Sequence, residues 1–203
     1  MAPLRPRGGD VAAPRAARPP MKAPLLYAAA KLETARLELE PLAVAHAASM
    51  YEGFADARMY AWVDAAPPAD VAELAERFAR VADPYARTGE LWLNWAVTRR
   101  DDGAGVGVVE VTLRDDRVAY LACYIFPQQA RQGFGHEACT AAIDHLWRAY
   151  DAREIRIETD YRNVPARCLA EALGFARRRR VRHGALRGAP TVHYRYRLWR
   201  SVS

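Results

Sequence analysis

Hydrophobic and polar positions change period several times along this chain, and each change marks an element. Arg36-Leu37-Glu38-Leu39-Glu40 alternates with period two, so the spacing predicts a strand, with folded sequence beginning near Leu32. Residues 41–56 read as a helix, and Val71, Leu74, Ala75, Phe78 and Val81 recur at helical spacing to predict a second. Three strand patterns follow. Leu91, Leu93, Trp95 and Val97 share one face of the first, Val106 to Leu113 follow a glycine-rich turn, and Arg117 to Phe126 follow Asp115-Asp116. Short polar connections predict an antiparallel meander.

Ala138, Ala142, Ile143, Leu146, Trp147 and Tyr150 then fall on one helical stripe, and Glu154 to Glu158 alternate as a strand. Asn163 offers an N-cap, Pro165 sits in a first turn and Gly174 supplies a C-terminal stop, which together predict a short helix. Arg177 to Arg182 read as a solvated edge strand guarded by charge, and Thr191 to Trp199 as an alternating last strand. The order is strand, two helices, three strands, helix, strand, helix, two strands. It predicts one α+β (mixed α/β) domain over 32–203, preceded by a basic, Ala/Pro/Arg-rich tail over 1–31 with no packing pattern. Met21 offers an alternative start.

The candidate chemistry lies between Ile125 and Ala138. Here an apolar strand ends, a polar turn follows, and Gly133 and Gly135 punctuate the entry into the long helix. Such an entry presents unpaired backbone N–H groups at the positive end of a helix dipole, which makes an anion site. Both glycines are expected to let phosphates approach those amides, since a Cβ would stand in the way. Gly133 to Ala138 also match the dinucleotide pattern G-x-G-x-x-A. In that fold, however, the first glycine follows its strand almost at once and opens the domain. Here Pro127 to Gln132 intervene, and an antiparallel meander comes first. A Walker loop is excluded because no Gly-Lys-Ser/Thr follows. Gly103, Gly105 and Gly107 precede a strand and read as turn and close-approach positions.

Composition narrows the setting. The chain has 203 residues, 51% of them hydrophobic, and no apolar run of the ~20 residues a membrane span needs. Its net charge of +6 suits an anionic ligand or partner. Three cysteines, Cys123, Cys139 and Cys168, lack metal-type spacing and point to a reducing cytoplasm. Trp92, Trp95 and Trp147 stand at core positions.

Three stretches together resemble the GCN5-related N-acetyltransferase (GNAT) superfamily, and within it the ribosomal-protein N-terminal acetyltransferases. Leu32 to Leu39 are similar to that branch's first strand. Gly133, Phe134, Gly135, Glu137 and Ala138 match its entry into the central helix, and Asn163, Leu169, Glu171, Leu173, Gly174 and Phe175 match its next motif. Ala130 and Ala166 depart from the pattern, where the family usually has Gln or Arg and Ser. The resemblance implies a GNAT fold, a central mixed, mostly antiparallel sheet of about seven strands flanked by about four helices. It also implies an acetyl-CoA-dependent N-acetyltransferase, with no metal, acting on a small-molecule amine or a protein N-terminus.

On that resemblance, acetyl-CoA is expected along the backbone of Tyr124, Ile125 and Phe126, with Ile125 or Phe126 N–H as an oxyanion donor. Arg131, Gln132, Gly133, Phe134, Gly135 and His136 would hold the pyrophosphate, with Asn163 nearby. Glu158 is the candidate proton acceptor, against a plain strand carboxylate paired with Arg156; Glu110 and Asp160 are runners-up, and His136 reads as a solvent-facing first-turn residue. Ala170 replaces a tyrosine that protonates the leaving thiolate in many members, so water is expected to do so here. The acceptor pocket is expected from residues 41–82 and 184–190, and related folds often pair as homodimers. A competing reading is a non-catalytic acyl-CoA-binding module that docks an acidic partner through its basic strand; nucleic-acid binding is a weaker third.

Overall fold

The computed structural model describes residues 30–84 and 87–200, and within 179–185 the backbone alone. Most of the expected tail therefore lies outside the described residues. Eight strands form one sheet in the order β1-β2-β3-β4-β5-β6-β8-β7. They are β1 (Leu32–Glu33), β2 (Leu37–Pro41), β3 (Glu90–Arg99), β4 (Gly105–Arg114), β5 (Val118–Ile125), β6 (Glu154–Asp160), β7 (Ala176–Leu186) and β8 (Ala189–Trp199). Four α-helices accompany them: α1 (Ala47–Ala55), α2 (Val71–Ala82), α3 (Phe134–Ala149) and α4 (Val164–Ala172). Every neighbouring pair is antiparallel except β5 and β6. No described helix is long and apolar enough to cross a membrane.

The expected element order holds, with two corrections. An eighth strand, β1, pairs Leu32 with Leu39 and Glu33 with Glu38 and is too short to leave a periodic signal. The helix expected over 41–56 starts later, because Pro41 still pairs with Trp95 as the last residue of β2 and Val44–His46 form a 3-10 turn.

Strand alternation divides the core in two. Leu91, Leu93, Trp95 and Val97 pack with Val109, Val111 and Leu121 against α3 and α4. Trp92, Ala96 and Val108 face the other way, against Met50, Phe54, Leu74 and Phe78 of α1 and α2. Phe126 joins this second layer, its ring edge-on to Phe54 at 5.4 Å. Gly53 makes room for it, since a Cβ there would lie 2.4 Å from the Phe126 ring. Gly107 serves the same purpose between strands. A Cβ would stand 1.9 Å from the Tyr124 carbonyl oxygen, and φ is +155°. The close-approach reading of Gly107 therefore holds.

Candidate active site

The two parallel strands part company soon after they meet. β5 and β6 pair at Val118–Glu154, Ala119–Ile155 and Tyr120–Arg156, and no further. From there Leu121–Ile125 and Ile157–Asp160 flank an open wedge in the middle of the sheet. Phe126 N–H donates to the Val106 carbonyl at 2.8 Å. Antiparallel residues alternate between facing a partner strand and facing away, so the N–H groups of Cys123 and Ile125 point into the wedge. This corrects one expectation: Phe126 N–H is committed to β4, which leaves Ile125 and, one step back, Cys123 as backbone donors.

The polar turn ends at the mouth of the wedge. Arg131 (φ +66°) and Gly133 (φ +82°) both take the left-handed conformation, and Gly133 caps α3. The first bond within the helix runs from Glu137 N–H to the Gly133 carbonyl at 3.1 Å. The N–H groups of Phe134, Gly135 and His136 are thus the orphan donors of a helix N-terminus. Arg131, Gln132 and His136 are exposed, and Phe134 is buried. His136 faces solvent as expected.

A feature of the first strands holds this turn in shape. Glu137 accepts from Thr34 Oγ1 at 2.6 Å, Arg36 N–H at 2.9 Å and Arg36 Nε at 2.7 Å. Burial opposes ionisation of Glu137, but the bonds from Thr34 and Arg36 outweigh it and hold its carboxyl below the ordinary range. The Arg36 guanidinium also donates to the Gln132 carbonyl at 3.0 Å and covers the Phe134 ring at 4.7 Å. Gly135 serves packing: a Cβ would lie 3.3 Å from Ile125 and 3.5 Å from Leu169. The glycine thus also permits the close approach of α3 to β5 and α4.

Inside the wedge lies a cavity of about 180 Å³ that reaches both faces of the sheet. Leu121, Cys123, Cys139 and Leu169 line it on the α3/α4 side; Glu110, Tyr124, Glu158, Asp160, Trp62 and Val63 line it on the other. The expected pocket segment 41–82 thus contributes Trp62 and Val63, and the β7–β8 turn reaches over to it, Arg187 Nη2 donating to the Tyr60 carbonyl at 2.8 Å. Asn163 lines the cavity too, with its side chain accepting from Ala166 N–H at 3.2 Å as the cap of α4.

Three carboxylates enter this cavity and differ in their partners. Asp160 is fully buried and bound by Arg162 Nε at 2.9 Å, Nη2 at 2.7 Å and N–H at 2.9 Å. Those bonds outweigh burial and lower its pKa, so it is a poor proton acceptor. Glu158 pairs with Arg195, its register partner on β8. The Arg156 pairing weighed for it does not form; that guanidinium holds Glu154 at 2.7 Å and the Tyr120 hydroxyl at 2.9 Å. Glu110 makes no ion pair among the described residues, and burial pushes its pKa up to about 7. A hydrogen bond with Cys123 and burial push the Cys139 thiol well above its ordinary value.

Sequence comparison agrees with this geometry. The family model of the acetyltransferase (GNAT) domain matches residues 36–176, from the start of β2 through α4. The chain belongs to the GNAT acetyltransferase family. No curated protein matches this GNAT domain in sequence. Among solved structures it is similar to a GCN5-related N-acetyltransferase from Brucella melitensis, with 20% identity and a TM-score of 0.73 over 84% of this chain and 78% of the other. It is also similar to a ribosomal-protein-S5-alanine acetyltransferase from Vibrio fischeri, at 15% identity and a TM-score of 0.71 over 84% and 96%. A GNAT-family acetyltransferase from Bacillus anthracis gives 12% identity and 0.72 over 84% and 98%. At these identities the likeness is one of fold.

Proposed function

We propose that this GNAT domain, taken as residues 32–203, transfers an acetyl group from acetyl-CoA directly to a primary amine. The observation that carries the reading is the wedge between β5 and β6. It has an anion-binding turn at one end, outward-facing strand amides along one side, and a buried carboxylate titrating near neutrality within it.

The residues fit acetyl-CoA as co-substrate. The orphan amides at Phe134–His136, with the loop from Arg131, suit a pyrophosphate, each charge-assisted bond contributing roughly 1.5–3 kcal/mol. Exposed Arg131 adds about 0–1 kcal/mol as a steering charge. Cys123 and Ile125 N–H groups would pair with the amides of the pantetheine arm as a further strand would, beside Tyr124 and Phe126. The thioester supplies an activated acetyl group and a thiol leaving group of pKa near 8.5, which needs little assistance. Ala170, fully buried in the core, offers no acid there, so water returns that proton.

Glu110 is the proposed proton acceptor in preference to Glu158, which is engaged by Arg195. A general base works best with a pKa near the operating pH. A carboxylate near 7 lies within about one unit of an α-amino group (7.7–8.0) but about three below a lysine (10.4). The match favours a protein N-terminus or another weakly basic amine. The fold likeness to the Vibrio fischeri enzyme, whose name specifies an alanine acceptor on a ribosomal protein, supports the same direction. Three free cysteines suit a reducing cytoplasm.

Purified protein, acetyl-CoA and a panel of amines and peptides test the reading. Acetyl-CoA at 100 times its dissociation constant adds about 2.7 kcal/mol and lifts Tm by roughly 5–10 °C, whereas NAD and ATP leave it unchanged. Release of CoA with at least one amine establishes transfer. Binding without release from any amine establishes the acyl-CoA-binding module instead.

A further inference from the structure

A hydroxyl in the cavity lacks a partner among the described residues. The Tyr124 hydroxyl is buried and makes no hydrogen bond among the described residues. Its ring packs against the α1/α2 layer, on the same face as Glu110, whose strand neighbour Ala122 lies two residues away. Tyr124 lines the wedge with Glu110 and Cys123. Buried hydroxyls in folded proteins are almost always hydrogen-bonded, because leaving one unpaired forfeits its hydration with nothing in return. A second ring carbon position without the oxygen, as in Phe, would fill the same space at no such cost.

We propose that Tyr124 is a catalytic residue: its O–H donates a hydrogen bond to the acyl carbonyl oxygen during transfer, beside the wedge-facing N–H of Cys123. The inference rests on the acetyl-transfer reading above. Burial, and then the charges of Glu110 and Cys123, push the phenol well above its ordinary value, so it donates a hydrogen bond without giving up its proton. As the amine lone pair forms the C–N bond, the carbonyl π pair shifts onto oxygen. That pair returns as the C–S bond breaks with its electrons on sulfur. Glu110 takes the amine proton, and Tyr124 keeps its own. Its bond is strongest while the oxygen carries negative charge, which is what accelerates a reaction.

Tyr124→Phe tests this with three readouts. Expected are a fall of about 100-fold in kcat, a loss of about fivefold in the preference for acetyl-CoA over CoA measured by calorimetry, and an unliganded Tm equal to or above that of the native protein. Unchanged kcat and unchanged preference overturn the proposal. So does a lowered Tm with unchanged preference, since the hydroxyl would then be a structural group. If the native protein binds acetyl-CoA yet turns over no amine, the transferase reading fails, while the acetyl-CoA to CoA preference still decides Tyr124.

Discussion

Glu110 sets two demands against each other in one side chain. The buried carboxyl titrates near 7 instead of its ordinary 4.5. Between those values the folded protein holds a proton that the unfolded chain has lost, so stability falls as pH rises through that window and stays reduced above it. With Glu110 as the proposed proton acceptor, activity is expected to run the opposite way, because only the ionised form accepts a proton. Glu110→Gln is therefore expected to lower kcat/KM by about 100-fold or more and to abolish a rise in activity centred near pH 7. The same change raises Tm at pH 8. Rate assays and thermal melts at pH 5, 7 and 8 check both halves. A variant that loses activity and stability together makes Glu110 structural. The sequence alone favoured Glu158 as base, because position relative to Asn163 is readable and burial is not. Arg195 lies 37 residues away, and only the β6–β8 register brings it opposite Glu158.

At the scale of elements, the turn before α3 owes its shape to residues about a hundred positions earlier. Thr34 and Arg36 grip Glu137, and Arg36 also donates to the Gln132 carbonyl within the turn. Glu137→Ala leaves the orphan amides in place but frees the turn, so acetyl-CoA should bind about tenfold more weakly with the melting of the unliganded domain changed by only a few degrees. Titration calorimetry decides: unchanged affinity means that Gly133 and Arg131 hold the turn without help. The motifs themselves were legible, since local spacing marks Gly133 as part of the helix entry, Asn163 as a cap and Gly174 as a stop, and the structure puts them there. The packing role of Gly135 was not legible, because it depends on Ile125 and Leu169 meeting it across three elements. Gly53, inside an ordinary helical pattern, gave no sign that Phe126 would lie against it.

Over the whole molecule, the wedge joins two half-sheets with different coverings. β3–β5 carry helices on both faces through separate apolar cores. On the α1/α2 side of β6 and β8 stand instead paired charges: Glu154 with Arg156 and Arg197, Glu158 with Arg195. Periodicity revealed both kinds of strand but could not show that β5 and β6 separate after three residue pairs, since parting strands keep the same alternation. The halves meet again above the cavity, where Arg187 at the β7–β8 turn donates to the Tyr60 carbonyl at 2.8 Å. The contact lies on the side proposed for the acceptor, with Trp62 and Val63 close along the chain. Arg187→Ala is accordingly expected to raise KM for the amine about fivefold, the worth of one ordinary hydrogen bond, with kcat and acetyl-CoA affinity held. Initial-rate kinetics at saturating acetyl-CoA measure the first, and calorimetry the second. An equal loss in both affinities would mean that the turn supports the entire wedge, and no loss in either would place acceptor binding outside it.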